Sequence, residues 1–406
     1  MSEHKPVFNR LFGAILLISG TTIGAGVLAL PVATGRAGFV PSILSMLFCW
    51  LYLTYSAFCI LEVNLSLKTH GNLISMASQT LGKYGKALSW VAYLFLLYSL
   101  NTAYIAVSTA IFQNVLEKIV GYQVAHIFCI LPLLLAFGLL LRQGMKMVDE
   151  INRFLMLGLV VSFVLLLTLS FPEIRLENLK TANYSFMISS LSTIVTAFGF
   201  HIIIPSLVTY LHGSVKQLRK AIWVGSGIPL AAYILWQIAI LGVVPQSGPF
   251  SIENAYLKGW SGTDLIAEIS SLPHTPWIAQ SFALFVILTS FIGVSVSLFD
   301  FLADGLKIEK RASGKWKLFF FTFVPPLYFA LSYPRAFFLA LEYAGAFGVV
   351  TLLALIPALM VYRARYVLHL QSPYHVRGGK LGLLLLMAVS LTIIVCEVLL
   401  KIGVVQ

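Results

Sequence analysis

The 406-residue chain is 59% hydrophobic and only 10% charged, against roughly 25% charged in soluble domains. Its net charge of +12 sits in short segments between apolar runs, which fits membrane topology and not a nucleic-acid-binding tail. The four cysteines, Cys49, Cys59, Cys129 and Cys396, all lie inside apolar runs without CxxC or metal-ligand spacing, so they read as small buried apolar residues.

Eleven apolar stretches long enough to cross a bilayer follow one another, at about 11–34, 39–62, 88–114, 124–142, 152–171, 186–211, 221–244, 277–301, 317–333, 336–362 and 382–401. The first follows Lys5 and Arg10. It is too long for a signal-peptide core and ends in no small-residue cleavage site, so it is expected to remain as a membrane helix. With the N-terminus inside, 20 of the 27 lysines and arginines fall on the cytoplasmic side. Outside remain only Arg36, Lys118, Arg175, Lys180, Lys258, Arg335 and Lys401. This asymmetry predicts a multi-pass inner-membrane protein with a cytoplasmic N-terminus and a periplasmic C-terminus. Residues 1–406 form one transmembrane domain, with no separate soluble unit. The longest outer segment, about 245–276, contains Pro245, Pro249, Pro273 and Pro276 and is expected to hold a short surface helix.

Two spans carry signs of interruption. The first reads Ser19-Gly20-Thr21-Thr22-Ile23-Gly24-Ala25-Gly26, then Pro31; the sixth reads Thr196-Ala197-Phe198-Gly199-Phe200-His201, then Pro205. Each glycine costs a helix about 1 kcal/mol against alanine, and proline removes a backbone hydrogen bond. A discontinuous helix explains such a segment: its outer half offers N–H groups and a positive dipole end to a carboxylate, and its inner half offers carbonyls to an ammonium. Close helix packing through small residues is the competing explanation. Breaks at matching positions in two halves of a chain point to a transporter site.

These residues carry a resemblance. The stretch Gly20–Gly26, the stretch Phe198-Gly199-Phe200-His201 through Ile204-Pro205-Ser206-Leu207, and Ser297-Leu298-Phe299-Asp300-Phe301-Leu302-Ala303-Asp304-Gly305 resemble the hydroxy/aromatic amino acid permeases over nearly the whole chain. Within that family the tyrosine carriers are the most similar. The resemblance implies a LeuT-type fold of two inverted five-helix repeats (about 11–171 and 186–362) plus one extra helix at about 382–401. It also implies proton-driven uptake of an amino acid. Family relatives that carry tryptophan, or serine and threonine, leave the substrate open.

Ionisable residues at membrane depth are functional candidates because placing them there costs at least about 2.5 kcal/mol. His201 lies in the second break, where it is a candidate for proton exchange, for a bond to free carbonyls, or for donation to a substrate hydroxyl. Glu342 in span ten and Asp300 near the inner end of span eight are the further proton-coupling candidates; Asp300 also suits a gate or helix-end ion pair. Glu397, near the outer end of span eleven, reads as interfacial. Thr289 and Ser290 form a hydroxyl pair that sodium coupling would need, although helix hydroxyls more often bond their own backbone.

The expected substrate site is Ser19, Gly20, Thr21, Thr22, Gly24, Ala25, Gly26, Tyr104, Ala197, Phe198, Gly199, Phe200 and His201. The carboxylate is expected at the amides of Gly24 to Gly26, the ammonium at carbonyls near Ser19, Gly20 and Ala197, and the side chain near Phe198, Phe200 and Tyr104. The expected activity is import of an aromatic amino acid, tyrosine first, by proton symport, with sodium coupling as the alternative. No HExxH or Ser/His cluster suggests an enzyme, and no cofactor or metal is expected. The expected partners are the amino acid, protons and the bilayer.

Overall fold

A computed structural model of the chain describes residues 10–67, 71–122, 124–143, 145–309, 312–333 and 335–404. Lys5, Lys68, Lys310 and Arg311 of the charge asymmetry lie outside them. Among the described residues the protein is helical throughout. The single β-type contact is an isolated antiparallel bridge between Gly38 and Ala182. Gly38 adopts φ +87°, and a Cβ there would come within 2.0 Å of Thr181 O, so no other residue fits that turn.

The first apolar run forms α1 (Arg10–Thr22) and α2 (Gly26–Gly35), bent 56° at the intervening break. Next come α3 (Phe39–Ser66) and α4 (Leu73–Val120). Helix α4 begins 15 residues before the predicted span because an Asn72-capped turn runs into it across a kink at Gly82, where φ is +75°. Then follow α5 (His126–Gln143) and α6 (Met145–Ser170). The sixth span is broken as α7 (Met187–Ala197) and α8 (Ile204–Tyr210), joined by a 3-10 turn at His201–Ile203. Pro205 is in the first turn of α8, where its missing N–H does no harm. Pro31 instead lies inside α2 and packs on the segment around Gly262.

Helix α9 (Val215–Val243) leads to an outer segment that holds two short helices, α10 (Ile252–Lys258) and α11 (Gly262–Ile269). Their apolar residues Ile252, Leu265 and Ile266 are buried, so they pack into the protein instead of lying on it. Helix α12 (Thr275–Leu306) and helix α13 (Ala312–Ser332) follow. The tenth span is α14 (Ala336–Tyr343), a π-helical stretch (Ala344–Leu355) and α15 (Ile356–Tyr366). Helix α16 (Gly379–Lys401) is last.

Eight of these helices are long and apolar enough to cross a membrane, and the bent α1–α2 pair makes nine among the described residues. Helices α5 and α13 occupy the fourth and ninth predicted stretches but are not among the nine; α13 carries Lys315, Lys317 and Pro325–Pro326, which lower its hydropathy. Residues 336–366 are the most enclosed span, with 78% of the residues in its apolar stretch buried, whereas in the spans of α6 and α16 that share is 28% and most of the stretch faces outward. The protein is therefore an all-helical membrane protein, with the α1–α2 and α7–α8 spans and residues 336–366 at its centre.

Candidate functional site

The two breaks meet. A Cβ added to Gly26, the first residue of α2, would lie 2.8 Å from the Cβ of Ala197, the last residue of α7. A Cβ on Gly24 would come within 3.1 Å of Ser290 Oγ on α12. None of Gly20, Gly24, Gly26 or Gly199 needs a positive φ. At Gly24 and Gly26 the absent side chain admits neighbours, so interruption and close packing coexist here.

Tyr233 of α9, fully buried, points its hydroxyl between the two broken ends. Its Oη lies 2.8 Å from Thr22 O, the end of α1, and 3.0 Å from Ala197 O, the end of α7. One O–H thus faces two carbonyls that helix geometry leaves without an intrahelical donor. Phe198 packs its edge on the Tyr233 ring, with centroids 5.3 Å apart.

Beside this junction lies a cavity of about 530 Å³, within the size range of small-molecule sites. Gly20, Thr21, Thr22, Gly24, Ala25, Gly26, Tyr104, Ala197 and Gly199 all line it. Much of the remaining wall comes from α4 (Tyr93, Leu96, Leu97, Leu100), α6 (Asn152, Met156) and α12 (Thr289, Ser290, Gly293, Val294, Ser297), with Leu16, Leu17 and Ile23 near the first break, Thr196, Ile202 and Ile203 near the second, and Leu341, Val349 and Leu353. The wall is mostly apolar. It extends from the breaks along the middle of α4, toward the start of α6 and along the second half of α12.

The amides of Gly24, Ala25 and Gly26 make no backbone hydrogen bond among the described residues. They form the open N-terminus of a ten-residue helix on the cavity wall, an arrangement suited to a carboxylate. Thr196 donates to Ser192 O at 3.0 Å and lies 2.8 Å from Leu341 O, which ties α7 to α14 at the cavity edge.

Ser19, Phe198, Phe200 and His201 do not line the cavity. Ser19 Oγ is 2.9 Å from Gly225 O on α9 and 3.0 Å from Ile15 O. His201 is completely buried with Nε2 2.9 Å from Leu53 O on α3, and Phe200 stacks on its ring at 4.9 Å. Asp300 is half-buried near the end of α12, and Glu342 is buried on α14; neither lines the cavity. Thr289 Oγ1 bonds within its own helix, to Phe285 O and Val286 O at 2.9 and 3.0 Å. Asn101 joins α4 to its neighbours instead of facing the cavity: it accepts from Ser295 Oγ and donates to Thr322 O.

Sequence reasoning missed Tyr233, although a hydroxyl in mid-span always needs a partner and was a readable signal. It also missed the wall residues Asn152 and Met156, which nothing distinguishes from ordinary helix-face residues. Glu62 of α3 escaped notice as well. It accepts from the Arg365 guanidinium, from Val376 N at 2.7 Å and from His375 Nδ1 at 3.2 Å, pinning the 367–378 segment to α3.

Residues 8–397 match the model of the tryptophan/tyrosine permease family. The chain is 36% identical to tyrosine-specific transport system 1 of Haemophilus influenzae, over 95% of this chain and 96% of that protein. It is 32% identical to tyrosine-specific transport system 2 of the same organism, over 97% and 98%. It is 31% identical to that organism's tryptophan-specific transport protein, over 91% of each.

Proposed function

Because this chain belongs to the tryptophan/tyrosine permease family, we propose that it imports an aromatic amino acid, tyrosine first, by proton symport across the bacterial inner membrane. The observation that carries this reading is the meeting of two helix breaks beside a cavity lined by free amides and apolar side chains. The substrate carboxylate meets the amides of Gly24, Ala25 and Gly26. The ammonium meets the carbonyl end of α1 at Gly20 and Thr21. The ring lies along Tyr104, Leu100 and Val349, an apolar wall able to take a phenol or an indole.

The matched breaks support two inverted five-helix halves, α1–α6 and α7–α15, with α16 outside them, an arrangement of eleven crossings. With the N-terminus inside, the cavity reaches toward the cytoplasm, which supports an inward-reaching resting state. One proton crossing about 100 mV supplies about 2.3 kcal/mol, enough for roughly fifty-fold accumulation. The intrahelical bonds of Thr289 favour protons over sodium as the coupling ion.

Competition against labelled tyrosine uptake in proteoliposomes tests the substrate. Unlabelled tyrosine and tryptophan are expected to compete and serine is not; competition by serine but not tyrosine overturns the assignment.

A further inference from the structure

Near the end of α16 one carboxylate, Glu397, turns inward and is buried, while Lys401 one turn later is exposed at the helix end. Glu397 is 2% exposed and Glu342 on α14 is 4% exposed. Lys401 joins them: its Nζ is 2.5 Å from Glu342 Oε2 and 3.4 Å from Glu397 Oε1. Ser192 Oγ of α7 donates to Glu397 Oε2 at 2.7 Å. Among the described residues Glu397 Oε1 has no hydrogen-bond partner. Three elements thus converge on one cluster with two buried carboxylates: the broken span, the enclosed tenth span and the last helix.

Two carboxylates share one close ammonium, and Glu342 has the closer claim on it. The other polar groups are Ser192 from α7 and Tyr343 from α14, whose ring lies 5.4 Å from Lys401 Nζ. Arg335, at the start of α14, has its guanidinium 4.5 Å from the Tyr256 ring, and its positive charge also acts on Glu342. The arginines of α15, Arg363 and Arg365, lie at the far end of the span. Glu397 is thus left with the longer, shared contact to Lys401, and a buried carboxylate so weakly paired is costly to keep ionised. Binding one proton relieves that cost, and the proton belongs to the cluster as a unit.

The cluster is also joined to the cavity. Ser192 is one helical turn before Thr196, and Glu342 is next to Leu341; Thr196 and Leu341 both line the cavity and lie 2.8 Å apart through Oγ1 and O. Gly345 lets the tenth span press onto α7, for a Cβ there would lie 1.8 Å from Ser192 O.

We propose that Glu342, Glu397 and Lys401, brought together from α14 and α16, form the proton-binding site of the transporter. This rests on the proton-symport reading above. A proton from outer water forms an O–H bond on one of the two carboxylates, and that O–H bond breaks when the proton passes to water on the inner side. Protonation loosens the cluster's hold on Lys401 and Ser192, so occupancy is felt at the α7–α14 contact that borders the substrate.

The test is proton entry per tyrosine, measured with a pH-sensitive dye in lightly buffered proteoliposomes containing the full-length protein. Wild type is expected to bring in protons with tyrosine. Glu397→Gln is expected to cut protons per tyrosine by about tenfold or more while tyrosine still enters down its gradient, with Glu397→Asp restoring coupling. A wild-type ratio in Glu397→Gln overturns the assignment. Should Glu397→Gln not assemble, Lys401→Met decides: loss of the ammonium is expected to move the half-maximal pH of uptake upward by about one unit or more, and an unmoved profile overturns the site. A wild type that carries no protons with tyrosine overturns the symport reading and this site together, whereas a coupled wild type with a coupled Glu397→Gln overturns the site alone.

Discussion

The Tyr233 hydroxyl lies 3.0 Å from Ala197 O, at the last residue of α7, while the end of α1 at Thr22 O lies 2.8 Å away on its other side. One side chain from an unbroken helix therefore bridges both discontinuities. It holds the two half-helices in register, so that the free amides of Gly24 to Gly26 stay on the cavity wall.

Tyr233→Phe keeps the ring packed on Phe198 and removes only the O–H. Two buried carbonyls then lose their donor, at a cost of about 1–3 kcal/mol. The expected outcome is a lower melting temperature in detergent and tyrosine uptake reduced about tenfold. Unchanged melting and uptake would show that the bridge does not organise the site.

Gly26→Ala places a methyl where only 2.8 Å separates it from the Ala197 methyl. Overpacking of this kind costs about 1–3 kcal/mol. The paired change Ala197→Gly removes the opposing methyl. A double-mutant cycle on stability and uptake should give a favourable coupling of about 1 kcal/mol or more. Additive losses would mean that the two breaks are not in contact.

Glu62 carries a buried carboxylate whose partners are Arg365, His375 and the Val376 amide. Arg365→Ala leaves that charge without its main partner, and such losses cost about 3–5 kcal/mol. Combining it with Glu62→Leu is expected to recover most of the stability, because the stranded charge goes too. Melting in detergent checks both; a double variant as unstable as the single one would contradict the account.

Much of this was legible beforehand. The apolar runs marked where the helices lie, and the glycine-rich and proline-bearing stretches marked both interruptions. The span-one residues from Gly20 to Gly26 do face the cavity, Ile23 included. The second break was harder. Once a helix unwinds, the 3.6-residue period no longer tells which way a side chain points, so Phe198, Phe200 and His201 looked equally near the substrate. The structure turns them to Tyr233, to each other and to Leu53 O respectively. Glu397 was opaque for another reason: its partners Ser192 and Glu342 are distant in sequence, and nothing local announces them. The π-helical stretch is likewise invisible in composition, since Ala344–Leu355 reads as any apolar helix.

The central claim is coupled transport of an aromatic amino acid through the junction of α1–α2 with α7–α8. Labelled tyrosine uptake into proteoliposomes, with an inward proton gradient imposed and then collapsed by an uncoupler, tests it most directly. The account predicts accumulation above the external concentration, abolished by the uncoupler and unaffected by an imposed sodium gradient. Tyrosine that only equilibrates across the membrane, with no response to the proton gradient, would contradict it.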